Sequence, residues 1–166
     1  AAGVAVAAVM CVLGLWQMQR SIDSGDAGIA ARAALAPVPL LEHVRPDGTF
    51  DDIYGKPVTV TGTYLPGQEV LVVGSDGTVR VLSALRVADG RVVPVLRGVA
   101  SSRDAVPPAP SGERTETGLF LPGEGDAAAP AASGELASVR MPLLAQVWTQ
   151  QLTPGFVTLD AAGSDA

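Results

Sequence analysis

Residues 57–99 read PVTVTGTYLPGQEVLVVGSDGTVRVLSALRVADGRVVPVLRGV, and the fold turns on this stretch. Over 57–64 apolar and polar residues alternate strictly, with Val58 and Val60 on one face and Thr59, Thr61 and Thr63 on the other. A half-buried strand has this period, because successive side chains leave opposite faces of the sheet. Pro66-Gly67 predicts a turn, and residues 69–73 (EVLVV) a second strand. Asp76-Gly77 and Asp89-Gly90 carry the hairpin signature, and they bracket a third strand over 78–87 and a fourth over 91–99. Pro94 offers no amide donor, so the fourth strand is expected to lie at an edge or to bulge there. Four strands joined by short turns make an antiparallel meander.

Downstream, residues 100–114 are rich in Pro, Ser and charge and read as a loop stiffened by Pro107-Pro108-Ala109-Pro110. Residues 115–121 predict a fifth strand, 122–136 a second flexible loop, and 137–140 a short strand. Residues 141–151 predict a helix with Pro142 in its first turn, and Leu143, Leu144, Val147 and Leu152 facing the sheet. Residues 155–159 give a last strand, and 162–166 a fraying tail.

Upstream, residues 1–16 (AAGVAVAAVMCVLGLW) are apolar and uncharged. As a helix they rise about 24 Å, against roughly 30 Å for a bilayer core. A transmembrane helix over 1–20 is expected, with its apolar run starting ahead of Ala1. Trp16 sits where an interfacial aromatic anchors such a helix, and Gln17, Gln19 and Arg20 open its polar side. A cleaved signal peptide would need small residues close behind the apolar run, and Trp-Gln-Met-Gln-Arg stands there instead. Ser21, Asp23 and Asp26 suit the start of a juxtamembrane helix over 21–36, with Ile22, Ile29, Ala33 and Leu35 as its apolar stripe and Pro37 and Pro39 as its end. The organisation expected is a membrane helix at 1–20, a connector at 21–45, a β-rich domain at 46–161 and a tail at 162–166. The fold class is α+β, with one or two short helices beside the meander.

Composition narrows the chemistry. Aromatics are only 4% of the 166 residues against 48% apolar in all, so Val, Leu and Ala must fill the core. The net charge is -6, and no basic cluster is long enough to follow a phosphate backbone, which argues against nucleic acid. The single Cys11 lies in the apolar run, so no disulfide forms within the chain. One His, His43, excludes a metal site with two imidazoles, and its setting LLEHVRPDG predicts a solvated side chain. Asp51-Asp52 is the one adjacent acidic pair and is expected to be solvated rather than catalytic. No Cys-x-x-Cys, phosphate loop or Gly-x-Ser-x-Gly elbow is present. These absences point to binding, scaffolding or chaperoning rather than catalysis. Arg97 next to Gly98, ahead of an irregular segment, is a candidate partner contact or a strand end using glycine's backbone freedom.

Leu13-Gly14-Leu15-Trp16-Gln17-Met18-Gln19-Arg20 resembles the L-G-x-W-Q-x-x-R signature that ends the first membrane helix of the Surfeit-type cytochrome c oxidase assembly proteins. Further resemblances follow in order: the Gly-x-aromatic pattern at Gly62-Thr63-Tyr64, the Arg-Gly pair at Arg97-Gly98, and Gly118-Leu119-Phe120 behind the proline loop. Val99 stands where the family usually has Trp. The resemblance implies a bacterial cell-membrane protein, its domain on the extracytoplasmic side, with oxidase subunits and membrane lipid as partners. It implies an assembly factor aiding maturation or heme a insertion of the core subunit. The alternatives are a permanent accessory subunit of the oxidase or supercomplex, and a membrane-anchored binding module without a respiratory link. Trp16, Gln17 and Arg20 would meet the membrane boundary or the partner, and Arg97 and Gly98 a partner. No cofactor is assigned from the residues. Some family members bind heme a with a second membrane helix, which here would begin within roughly 30 residues beyond Ala166 as an apolar run of about 20, so a transient heme a has no ligand to carry over.

Overall fold

The computed structural model describes residues 27–125 and 134–159. The chain forms two compact units, Ala1–Leu35 and Ala36–Ala166. In the first, residues 27–33 are helical (α1), while Ile29 and Leu35 of the expected apolar stripe are exposed. The membrane helix expected at 1–20 lies outside the described residues. Among those described, no helix is long and apolar enough to cross a membrane.

The second unit holds β1 (Val38–Pro39), β2 (Pro57–Val73), β3 (Val79–Arg86), β4 (Val92–Ala100), β5 (Glu113–Leu121), α2 (Met141–Val147) and β6 (Phe156–Leu159). The sheet runs β1-β2-β3-β4-β6-β5, and β2 pairs with β5 as well, so five strands close on themselves as a barrel. The meander expected over 57–99 is present as β2-β3-β4, but with three strands rather than four. Pro66-Gly67 does not turn the chain back. The strand continues through it, and its register slips between Tyr64 and Glu69. Before the slip β2 pairs with β5, from Pro57 opposite Leu119 to Thr63 opposite Glu113; β3 joins its other edge at Thr63 and Tyr64 and, past the slip, continues from Glu69 to Val73. A proline is tolerated where the ladder is interrupted, because no donor is required there. One long strand thus serves two neighbours, β5 along its first half and β3 from Thr63 onward, and this shared use closes the barrel.

The two Asp-Gly hairpins form as expected. Asp76 Oδ1 accepts from the Thr78 amide at 2.9 Å, and Asp89 Oδ1 from the Arg91 amide at 3.0 Å. Such carboxylate-to-backbone bonds are what favour Asp at these turns.

Two expectations are corrected at β4. The strand is interior, antiparallel to β3 and parallel to β6 through Val95 opposite Val157 and Leu96 opposite Thr158. Pro94 therefore marks no edge. The Val92 amide donates to the Gln151 carbonyl at 2.9 Å, on the side away from β3. Two residues on, the Pro94 nitrogen faces that same side, just ahead of the residues that β6 pairs. The bulge falls three residues later, where Arg97 is the extra residue between Leu96 (opposite Leu82) and Gly98 (opposite Val81). Nor is the sheet all antiparallel, since β1–β2 and β4–β6 run parallel.

β3 and β4 are buried on both faces. One face lines the barrel with Leu85, Val93 and Val95, together with Val58, Val60, Tyr64, Phe120 and Val157. The other packs Leu82, Ala84, Val92 and Leu96 against Leu136, Leu144, Trp148 and Phe156. The even-numbered apolar residues of β2 serve the barrel before the slip and this second core after it. The expected strand at 137–140 is absent. Leu136 instead adds to the far half of β2, bonded to Leu71 and Val73 through the backbone. Helix α2 stops at Val147, four residues short of expectation, and Val147 is exposed where it was expected to face the sheet. The β-branched and aromatic run Val147-Trp148-Thr149 is poor helix material, and the extended Trp148 buries its indole.

Leu40 and Val44, within the stretch read as connector, are fully buried in the barrel cluster.

Gly118 sits in β5 between Val58 of β2 and Leu159 of β6. A Cβ there would run into the Thr158 carbonyl oxygen. Gly118→Ala is expected to cost about 2–3 kcal/mol by forcing the seam apart, while Thr117→Ala on the exposed face stays within about 0.5 kcal/mol. Urea unfolding of the two variants checks this; equal midpoints would mean that the seam is not tight.

Candidate functional site

One end of the barrel interior is polar. On β5, Glu116 shares its face with Gly118 and Phe120 and is buried; Arg114 Nε donates to its Oε1 at 2.7 Å. On β3, Ser83 is buried in phase with Leu85. On β2, Tyr64 is 4% exposed, and its hydroxyl makes no hydrogen bond of good geometry. From β4, the bulge turns Arg97 into this group. Gly98 behind it adopts φ 146°, a conformation open mainly to glycine. The Arg97 guanidinium lies 5.9 Å from the Tyr64 ring centroid, within cation–π range. Its Nη1 donates to the Pro107 carbonyl at 3.1 Å and makes a long 3.4 Å contact with Ser83 Oγ; its Nη2 donates to the Pro108 carbonyl at 3.0 Å. Arg97 therefore ties the proline loop over this end of the barrel. Burial pushes the Tyr64 phenol well above its usual range, and the nearby Glu116 charge adds to the shift.

A second polar cluster holds residues 43–51 to the barrel. Arg91 is buried. Its guanidinium donates to Asp89 Oδ2 through Nε and Nη2, to the Val44 carbonyl through Nη2 at 3.0 Å and to the Arg45 carbonyl through Nη1 at 3.1 Å. His43 is not simply solvated: its Nδ1 lies 3.2 Å from Asp51 Oδ2, and Arg45 Nη2 donates to Asp51 Oδ1 at 2.7 Å. Asp52 pairs with Lys56 across 3.9 Å. Among the described residues, no group of three His, Cys, Asp or Glu could hold a metal ion.

Five carboxyls in these clusters and turns are held below the usual range. The Arg45 bond to Asp51 and the Arg91 bond to Asp89 are the leading causes at those two. At Glu124 the cause is a bidentate Arg80 pair at 2.8 and 2.9 Å. Thr49 and Thr78 act on Asp47 and Asp76. A depressed carboxyl adds stability above its unfolded value, near 4, and that stability is lost as pH falls through the folded value. The melting temperature is expected to be flat from pH 7 to about pH 5 and to fall steeply below about pH 4. Asp89→Asn should shrink that acid fall; an unchanged profile in this variant would remove Asp89 from the account.

Of the residues singled out in the sequence, Arg97 and Gly98 form part of the barrel-end cluster. Trp16, Gln17 and Arg20 lie outside the described residues. The sequence reading missed Tyr64, Ser83, Arg114, Glu116 and Arg91 as polar groups inside the fold. Glu116 was within reach of it, since it shares the two-residue phase of Gly118 and Phe120.

The fold and site together define a small closed barrel with a polar interior end tied over by a proline loop. Residues 4–166 match the SURF1 family, and the chain belongs to it. The family is known for cytochrome c oxidase assembly. No curated protein matches the chain.

Proposed function

We propose that this chain is a membrane-anchored assembly factor for cytochrome c oxidase, aiding maturation or heme a insertion of the core subunit. The family match over nearly the whole length carries this reading. A helix at 1–20 would anchor the protein in a bacterial cell membrane, with Trp16, Gln17 and Arg20 at the boundary and the barrel on the outer side. It works without catalysing a reaction of its own, holding an oxidase subunit while that subunit gains its cofactor. A compact barrel joined to a membrane anchor suits this work, because it presents a fixed surface to a membrane-bound partner.

A deletion strain tests the proposal. Heme a absorbance and oxygen uptake through cytochrome c should fall while other respiratory complexes persist. Normal values for both would leave a binding module with no link to the oxidase. A reporter fused after the barrel that is active only in the cytoplasm would reverse the orientation.

A further inference from the structure

The barrel end is one carboxylate short. Glu116 is already engaged by Arg114, and Arg97 meets no carboxylate among the described residues. All three of its hydrogen-bond acceptors are neutral oxygens. Two of them, the carbonyls of the adjacent Pro107 and Pro108, take one bond each from Nη1 and Nη2 at 3.1 and 3.0 Å. That is the two-point pattern with which a guanidinium grips the two oxygens of a carboxylate. Beside it, the buried Tyr64 hydroxyl makes no hydrogen bond of good geometry and has only the Glu116 carboxylate, already engaged by Arg114, near it, although buried tyrosine hydroxyls ordinarily have a partner. Two cations and one anion leave a single positive charge at this end, which neutral carbonyls do not cancel.

We propose that this end of the barrel binds a carboxylate from outside the chain, and that the Pro107 and Pro108 carbonyls hold its place until it arrives. The incoming group replaces two neutral hydrogen bonds with charge-assisted ones, which are shorter and roughly twice as strong. It also offers the Tyr64 hydroxyl an unengaged acceptor. The loop between β4 and β5 gives way because its bonds to Arg97 lie at the surface. The inference does not rest on the assembly role, and either can fail without the other.

The experiment titrates the whole chain with sodium acetate against sodium chloride at equal ionic strength. It follows the Arg97 side-chain Nε–H and the backbone amides of residues 101–106 by nuclear magnetic resonance. Saturable shifts with acetate and none with chloride are expected. Arg97→Gln should abolish them. Tyr64→Phe, which removes only a hydroxyl without a hydrogen bond of good geometry, should fold with undiminished stability and bind roughly five- to tenfold more weakly. A short capped peptide with a single Glu forms the second arm. Saturation by acetate identifies a site open to free carboxylates; saturation by the peptide alone identifies one for a partner protein's side chain. No saturation in either arm overturns the proposal. So do shifts that persist in Arg97→Gln, or binding of inorganic phosphate without acetate.

Discussion

Arg91→Ala is expected to lower folding stability by about 3 kcal/mol and the melting temperature by roughly 10 °C. The residue is 4% exposed, and its guanidinium serves three acceptors, the Asp89 carboxylate and the Val44 and Arg45 carbonyls. Truncation leaves the carboxylate without its counter-charge and the Val44 carbonyl without a donor, while the Arg45 carbonyl keeps the Gly48 amide at 3.1 Å. An unmet buried acceptor costs more than a mean hydrogen bond is worth. Lysine should recover little, because a single ammonium cannot reproduce the fork. Urea unfolding gives the energy. Hydrogen exchange adds a local readout: the Asp51 amide, bonded to the His43 carbonyl at 2.9 Å, should lose protection before the strands do. A loss below about 1 kcal/mol would mean that water replaces the guanidinium without strain, and that the clamp is dispensable.

Phe120→Ala should be costlier, at about 4 kcal/mol. Phe120 is fully buried in the barrel. Its ring stacks on Tyr54 with centroids 5.5 Å apart and planes 20° from parallel. The core is otherwise built largely from Val and Leu, and Tyr54 is held by its hydroxyl on the Pro154 carbonyl at 2.6 Å, so the space left is not refilled. Its backbone also holds the turn before β2, receiving the Gly55 amide at 2.8 Å and donating to the Lys56 carbonyl at 3.1 Å. Those bonds survive the substitution, so the loss measures side-chain packing alone. Phe120→Leu should recover more than half of it. Circular dichroism during thermal melting checks both variants, and equal melting temperatures for Ala and Leu would contradict the cavity argument.

Local chemistry was legible in the sequence, and long-range pairing was not. The alternation at Val58 and Val60 and the two Asp-Gly turns placed β2, β3 and β4 to within a residue or two at most boundaries, because these signals act between near neighbours. Closure of the sheet was invisible. It depends on β6 entering between β4 and β5, and a four-residue strand carries no mark of its partners or direction. The same ignorance produced the error at Pro94, where an edge was inferred from a missing donor. Pro66-Gly67 misled because a turn and an interrupted strand use the same residues. At the barrel end, Arg97-Gly98 stood out as a pair, but only the bulge reveals that the side chain turns inward. Arg91 gave no signal at all: an arginine beside an Asp-Gly turn looks solvated until the segment carrying Val44 is laid across it.

The strand order also sets a timetable. β6 comes last of the strands in the sequence yet lies between β4 and β5, and Val95 finds its partner Val157 across 62 residues of chain. A ribosome releases the chain from its beginning, so β4 and β5 emerge with bare facing edges and wait for the piece that joins them. Open edges of this kind recruit other strands indiscriminately, and pairing over such separations is slow. The nascent domain therefore keeps two exposed edges until residue 159 is free, although β2 can already pair with β3 and β5. Any companion that shields it during synthesis need only cover those two edges, and its task ends when β6 arrives.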